Sequence, residues 1–357
     1  MLQKFVATAM VCLTTTLSFG QEDSTKKEEE KSPLKITGFA DVYYRYDFAK
    51  TAANNYTSFT KSHNSFELGM ASVKLEKALG KVGVVADLGF GQRAKEFSYN
   101  DDGITQAIKQ LFITYAATEK LTITAGSFAT HVGYELVDAP ANRNYSMSYM
   151  FSYGPFTHTG VKADYKFGNS GVMLGVSNKT DFRTSVSPKF LIGQFSTASK
   201  NGKLKLFLNY VGGKSNDSAK MNQYDAVVTM ALADNFSIGY NGTVARFKDK
   251  SDGKWSKSNS WWGSALYFNF DASEVFGLTL RSELFEDKKQ IATFGGVPGI
   301  AGGHVLANTL SANIRLGGLT LIPEFRFENA SQNIFYDKVG NGTKTAASVL
   351  MAAVYAF

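Results

Sequence analysis

The residues of this sequence best placed to do chemistry are charged side chains at alternate positions along apolar runs. Arg45, Arg93, Lys162, Lys205, Arg281, Arg315 and Arg326 supply cations. Asp41, Asp47, Glu67, Asp87, Asp164, Asp225, Glu283, Glu324 and Glu328 supply carboxylates. In DVYYRYDF, Asp41, Tyr43, Arg45 and Asp47 share one phase, and Val42, Tyr44, Tyr46 and Phe48 share the other. Fixed charges of both signs on the wall of a narrow wet passage set up a transverse field, order water and favour small polar solutes over apolar ones. Their structural alternative is that inward ion pairs only brace the wall. The two signs nearly balance, so the sequence implies no ion preference.

Catalysis needs converging groups of tuned acidity, and none stand out. The four histidines, His63, His131, His158 and His304, each lie beside an expected loop or strand end. Serines abound, but nothing singles out one as a nucleophile, so an enzyme is not expected. His131 and Glu135 have the i, i+4 spacing that could hold a metal on a helix. They follow a strand and flank Gly133, which favours loop-stabilising hydrogen bonds. The glycine run FGGVPGIAGGH at 294–304 lacks the lysine and hydroxyl residue of a phosphate loop. No metal and no cofactor are expected.

These charges are carried by segments whose dominant period is two, the mark of strands with unlike faces. Val82, Val84, Ala86, Leu88 and Phe90 oppose Gly83, Asp87, Gly89, Gly91 and Arg93. Leu204, Leu206 and Leu208 oppose Lys205 and Asn209; Leu278, Leu280 and Leu284 oppose Arg281 and Glu283; Leu321, Phe325 and Phe327 oppose Glu324, Arg326 and Glu328. In SFELGMASVKLE the phase slips near Ala71 and Ser72, as a bulge would make it do.

Tight links at 79–81, 118–120, 168–170, 200–202, 233–235, 272–275 and 317–318 alternate with longer polar connections near 49–63, 94–106, 130–154, 181–188, 213–221, 248–257, 287–303 and 329–344. The count between them is about 16 strands, within 14–18, with both chain ends on the short-turn side. Most runs reach about ten residues, enough to cross a bilayer when tilted and longer than the strands of a soluble sandwich. Lipid cannot satisfy an unpaired sheet edge, so the sheet must close. The expected fold is therefore all-β, a transmembrane antiparallel barrel with short periplasmic turns and long extracellular loops, set in outer-membrane lipid. Tyr44, Tyr46, Phe48, Tyr165, Phe167, Tyr240, Phe268 and Phe270 suit its interfacial girdles. The closing SVLMAAVYAF puts Val349, Met351, Ala353, Tyr355 and Phe357 on one face, in the manner of the terminal signal read by the barrel-assembly machinery.

Residues 1–20 read as a cleaved secretory signal peptide containing the only cysteine, Cys12, an apolar filler there. Residues 21–34 form a mixed-charge, disordered periplasmic leader, and residues 35–357 form the barrel. The formal charge of +7 falls to +6 once Lys4 is removed with the signal. This excess is spread along the chain, without the basic stripe and interleaved aromatics that nucleic acid requires, so nucleic acid is excluded as a partner.

NRNYSMSYMFSYGPFTHTG at 142–160 is too aromatic for a solvated loop and too irregular for a strand. Its rings could pack against the inner wall, with Asn142, Arg143, Asn144 and the serines meeting lumen charges. Loop 130–154 is accordingly expected to fold into the barrel as a constriction carrying His131, Glu135, Asn142, Arg143, Asn144, Tyr145 and Tyr149. The alternative places these rings on an outer rim or on tall strands above the membrane.

The block GSFATHVGYELVDAPANRNYSMSYMFSYGPFTHTGVKADY resembles the central signature of the OmpL-like β-barrel porin family. In this chain the signature positions are Gly126, His131, Gly133 and Glu135; Asn142, Asn144, Tyr145 and Ser146; and Pro155, Gly160 and Lys162. ITGFADVYYRYDF and PEFRFENAS resemble that family's first strand and penultimate hairpin. The resemblance covers the barrel and implies an outer-membrane channel, while lending little about solute; the residues themselves lead to the expectation of a passive channel for small hydrophilic molecules in a Gram-negative outer membrane. The rival expectation is a closed-lumen barrel with a structural, adhesive or ligand-binding role. By analogy with porins of this size, a homo-oligomer is open to the chain.

Overall fold

The computed structural model describes residues 33–186 and 188–357. The signal peptide, Cys12 and nearly all of the leader lie outside the described residues. Sixteen strands form the wall: β1 (Lys35–Asp47), β2 (Ser65–Leu79), β3 (Val82–Phe90), β4 (Ile108–Ala116), β5 (Leu121–Ala129), β6 (Thr157–Phe167), β7 (Ser170–Ser177), β8 (Phe190–Ala198), β9 (Leu204–Asn216), β10 (Ala219–Ala233), β11 (Phe236–Ser251), β12 (Asn259–Asp271), β13 (Phe276–Asp287), β14 (Gly303–Leu316), β15 (Leu319–Ala330) and β16 (Thr345–Ala356). Each pairs antiparallel with its sequence neighbours, and β1 closes on β16 from Phe39 opposite Ala356 to Asp47 opposite Ser348. Closure removes the edge that hydrocarbon could not satisfy. No helix among the described residues is long and apolar enough to cross a membrane, which says nothing of a barrel of strands.

The side-chain period fixes which solvent each residue meets. Val42, Leu208, Leu280, Phe325, Met351 and Phe357 are exposed on the outside, and Asp41, Asp87, Asp225, Arg281, Glu324 and Arg326 are buried on the inside. Two short helices lie in the connections, α1 (Gln92–Phe97) and α2 (Tyr149–Tyr153).

The phase slip in β2 is a bulge. Ala71 pairs with Ala40 and Leu68 with Val42, so Gly69 and Met70 together face Asp41. Its centre lies just before Ala71.

Three sequence expectations are corrected. Arg93 is not on a strand: β3 ends at Phe90, Gly91 takes φ 121°, and Arg93 sits on α1. A β-carbon at Gly91 would stand 2.6 Å from the Gly69 carbonyl oxygen, so glycine lets the chain leave the sheet where continued alternation was expected. The connection near 213–221 is mostly strand, with only residues 217–218 between β9 and β10, and that near 248–257 is shortened by β11 running on to Ser251. Backbone pairing does not require an apolar face, and these polar hairpins continue the ladder beyond the hydrophobic band.

Candidate functional site

Residues 130–156 connect β5 to β6, neighbours that a two-residue hairpin could have joined. The segment instead enters the bore. On its descending limb, His131 Nε2 bonds the Tyr210 carbonyl at 3.0 Å, Gly133 N–H donates to Asp225 at 3.0 Å, and Tyr134 N–H donates to Asn241 at 3.3 Å. Tyr134 stacks on Tyr267 with centroids 4.0 Å apart. Glu135 pairs with Arg281, and Asp138 pairs with Lys109 at 2.7 Å.

The limb turns at Asn142, whose side chain accepts from Leu136 N–H at 3.0 Å and donates to Leu136 and Asp138 carbonyls. Arg143 is the deepest point. Its guanidinium meets both oxygens of Asp271, the last residue of β12, at 3.0 and 2.8 Å, and donates to Thr279 at 2.7 Å. Asp271 also receives Arg315 at 2.8 Å.

The ascending limb runs up β15 in steps of two. Tyr145 N–H donates to Glu324 at 2.9 Å, the Met147 carbonyl accepts from Arg326 at 2.8 Å, and the Tyr149 hydroxyl donates to Glu328 at 2.7 Å. This is strand periodicity used as a rack: the inward residues of β15 grip alternate residues of the loop. Asn144 donates to Ser311 at 2.7 Å, and the Tyr145 hydroxyl donates to Asp41.

α2 then forms because its first amides have acceptors. Ser148 caps Phe151 N–H at 3.1 Å, while Glu283 on the wall accepts Tyr149 and Met150 N–H at 2.9 Å each. A buried carboxylate with two such donors is charge-assisted on both oxygens. Apolar contacts complete the seat. Tyr149 and Tyr153 stack on Phe285, and Tyr145 packs with Tyr43, Ile322, Leu350 and Val354.

The expected loop residues are thus spread along both limbs of the segment, all but Asn142 bonding the inner wall and Asn142 holding the turn. Of the expected wall residues, Asp41, Asp225, Arg281, Glu283, Glu324, Arg326 and Glu328 bond the loop directly, and Tyr43 touches it. Arg93 lies between the rings of Phe59 and Tyr145, 4.9 and 4.8 Å from their centroids, and donates to the Val137 carbonyl. Arg45 and Asp47 pair at 3.3 Å and hold the outer loop 48–64 through Ser62 and Asn54. Asp87 accepts from Ser72, Gln110 and Lys109. Lys162 pairs with Asp164 at 3.2 Å. With Glu67, Lys205 and Arg315, that pair keeps partial exposure.

His131 and Glu135 each make a loop-holding bond, to different partners. Among the described residues no cluster of three or more potential metal ligands occurs. Sequence reasoning missed Lys109, Asp271 and Asn241. Asp271 and Asn241 lie on the inward phase of their strands. Lys109 is the extra residue of a second bulge, where Asp87 pairs with Gln110 and Leu88 with Ile108.

At the outer end, Asp181 of the 178–189 connection fastens the loop's return, accepting Phe156 and Thr157 N–H at 2.7 and 2.8 Å and the Tyr99 hydroxyl at 3.2 Å. Burial pushes its carboxyl up from 3.8 to about 6 against the lowering effect of those donors. The folded chain therefore holds this proton more tightly than the unfolded one. The contribution of Asp181 to stability is greatest at acid pH, falls as pH rises from about 4 through 6, and is flat above. Asp181→Asn removes that slope. Thermal unfolding of the detergent-solubilised barrel at stepped pH checks this, and an unchanged slope in the variant would contradict it.

The sequence profile of the family described as "Putative beta-barrel porin-2, OmpL-like" matches residues 33–357. The chain belongs to that family. It is a β-barrel porin of the Gram-negative outer membrane. No curated protein matches this porin in sequence.

Solved structures share its fold. The outer membrane channel DcaP of Acinetobacter baumannii superposes with TM-score 0.62 at 11% identity, covering 91% of this porin and 97% of that chain. An anion-selective porin from Comamonas acidovorans gives 0.60 at 12% identity, covering 92% and 100%. A trimer form of Vibrio cholerae OmpT gives 0.58 at 9% identity, covering 91% and 99%. The family is described as one of porins, not of enzymes.

Proposed function

We propose that this porin is a passive diffusion channel for small hydrophilic solutes, with residues 130–156 as its constriction. The observation that carries the reading is the two-residue ladder between Tyr145, Met147 and Tyr149 and the inward Glu324, Arg326 and Glu328. It supports a narrowing role for the loop, since a segment seated on the inner wall in this way leaves the barrel's own hydrogen bonds unbroken. The partly exposed inward groups, Lys162, Asp164, Glu67, Lys205, Arg315 and Asp271, line the water-filled part of the route. The buried inward charges of β13 and β15 act through the loop that they hold.

A second reading is favoured by the reach of that loop. Its bonds touch strands from β9 round to β1, and it meets Lys109 on β4 as well. On this reading the barrel is closed until the loop moves, or serves a structural or ligand-binding role.

Single-channel recording in planar bilayers separates them. The channel reading predicts steady open steps from the purified full chain. A correctly folded but silent barrel would favour the second.

Further elements of the proposal are a signal peptide over residues 1–20, a charged leader over 21–34, and delivery to the barrel-assembly machinery through the face ending at Phe357. Phe357 is exposed while its backbone pairs with Gly38. The trimer form of one structural neighbour supports a homo-oligomer.

A further inference from the structure

Above the constriction lies a cavity of about 560 Å³, walled by the outer connections between β1 and β2, β3 and β4, and β5 and β6. Its size falls in the range of about 300–1,000 Å³ typical of small-molecule sites. Two of its lining residues, Tyr153 and Phe156, also hold the loop, through Phe285 and Asp181. We propose that this cavity is a binding subsite for an uncharged saccharide of one or two rings, at the outer mouth of the barrel.

The rings come first. Tyr99, Tyr153 and Phe156 line the cavity, with Tyr99 58% exposed and set edge-on to Phe156 at 82°. Exposed aromatic surface costs free energy in water unless something covers it, and the C–H face of a sugar ring is a flat apolar surface that fits. The tyrosines are held before any ligand arrives: the Tyr99 hydroxyl donates to Asp181, and Tyr153 stacks on Phe285. Such pre-ordering lowers the entropic cost of binding.

The polar rim then selects among ligands. Gln92 donates to Glu96 at 3.1 Å, and Gln106 donates to the Asp101 carbonyl at 3.0 Å. Their side-chain oxygens take no hydrogen bond among the described residues. Glu96 is held by Phe59 N–H at 2.7 Å and keeps lone pairs to spare. Lys95 lines the same cavity, is exposed, and has no carboxylate partner among the described residues. The cavity thus presents several oxygen acceptors together with one ammonium donor, at zero net charge. A carboxylate ligand only accepts and would meet Glu96; an amine ligand only donates and would meet Lys95. A hydroxyl does both, so a polyol satisfies the whole rim.

Saturation-transfer NMR on the detergent-solubilised full chain tests this, with maltose, cellobiose and lactose as neutral probes and glucuronate as the charged one. Transfer to the ring C–H protons of at least one neutral disaccharide is expected. Tyr99→Ala should weaken that binding about tenfold, an effect of the size expected for one stacked ring. Tyr99→Phe, which keeps the ring and loses the bond to Asp181, should bind more weakly than the unaltered chain but more tightly than Tyr99→Ala, and Gln106→Ala should also bind more weakly. Each variant is first shown to migrate as a folded barrel on unboiled gels. Absence of transfer to all three neutral sugars would overturn the proposal, as would equal transfer with Tyr99→Ala or stronger binding of glucuronate. Binding is read without ion flow, so a silent bilayer leaves this result unaffected and a conducting one does not supply it.

Discussion

Arg281→Ala is expected to raise the single-channel current severalfold and make it noisy. Arg281 is fully buried and donates to the Ser146 carbonyl at 2.7 Å and to Thr309 at 3.1 Å while pairing with Glu135. It therefore ties the descending and ascending limbs to β13 at once. Removing one partner of a buried pair costs about 3–5 kcal/mol, because the other charge is left behind. At about 1.4 kcal/mol per factor of ten, this shifts the ratio of seated to released loop by about two to three and a half powers of ten. The wall should survive, since its backbone pairing does not pass through the guanidinium. Changing Glu135 together with Arg281, to leucine and methionine, removes the stranded charge and should return much of the seating. An Arg281→Ala channel with the unaltered current and noise would show that the loop does not depend on this tie.

Gly69→Val is the second large effect. At the β2 bulge a β-carbon on residue 69 would overlap the Asp41 carboxylate and stand 2.7 Å from the Tyr145 hydroxyl. Any side chain there must expel the contact by which Tyr145 reaches β1. Overpacking of this kind costs about 1–3 kcal/mol. The expected result is a lower melting temperature and a larger conductance. The diagnostic comparison is a cycle with Tyr145→Ala: if the clash acts through Tyr145, the second substitution costs much less when the first is present. Full additivity would place the damage in the strand and not in the loop seat.

The wall of this molecule was legible because its two faces meet different solvents. Lipid demands Val42, Leu280 and Phe325 on one phase, and the bore admits Asp41, Arg281 and Glu324 on the other. The loop betrayed itself by composition, since the rings of Tyr145, Tyr149, Phe151 and Tyr153 had to be buried somewhere. What a charge on the inner wall touches was not legible. Phase gives the face, but neither the height nor what fills the bore, and so Arg281 and Glu283 read as lining when they bond the loop. Bulges hide residues from the period-two reading altogether: Lys109 falls out of phase, and Gly69 and Met70 share one side. Arg93 was misplaced for a related reason, since Gly91 ends the alternation with nothing in the pattern to announce it. The tall hairpins at 213–221 and 248–257 looked like loops because strands above the membrane carry no oily face.

A cysteine at Tyr149 reports whether the aromatic loop is seated inside the barrel. Tyr149 has no exposed surface and stands against Phe285 and Glu328. With the single-cysteine chain in intact outer membranes, a bulky impermeant maleimide added from outside should leave Tyr149→Cys unlabelled over a period in which a cysteine at exposed Val339 reacts fully. Heat denaturation should then render it reactive. Labelling of the folded barrel at Tyr149→Cys as fast as at Val339→Cys would put the segment outside the bore and contradict the account.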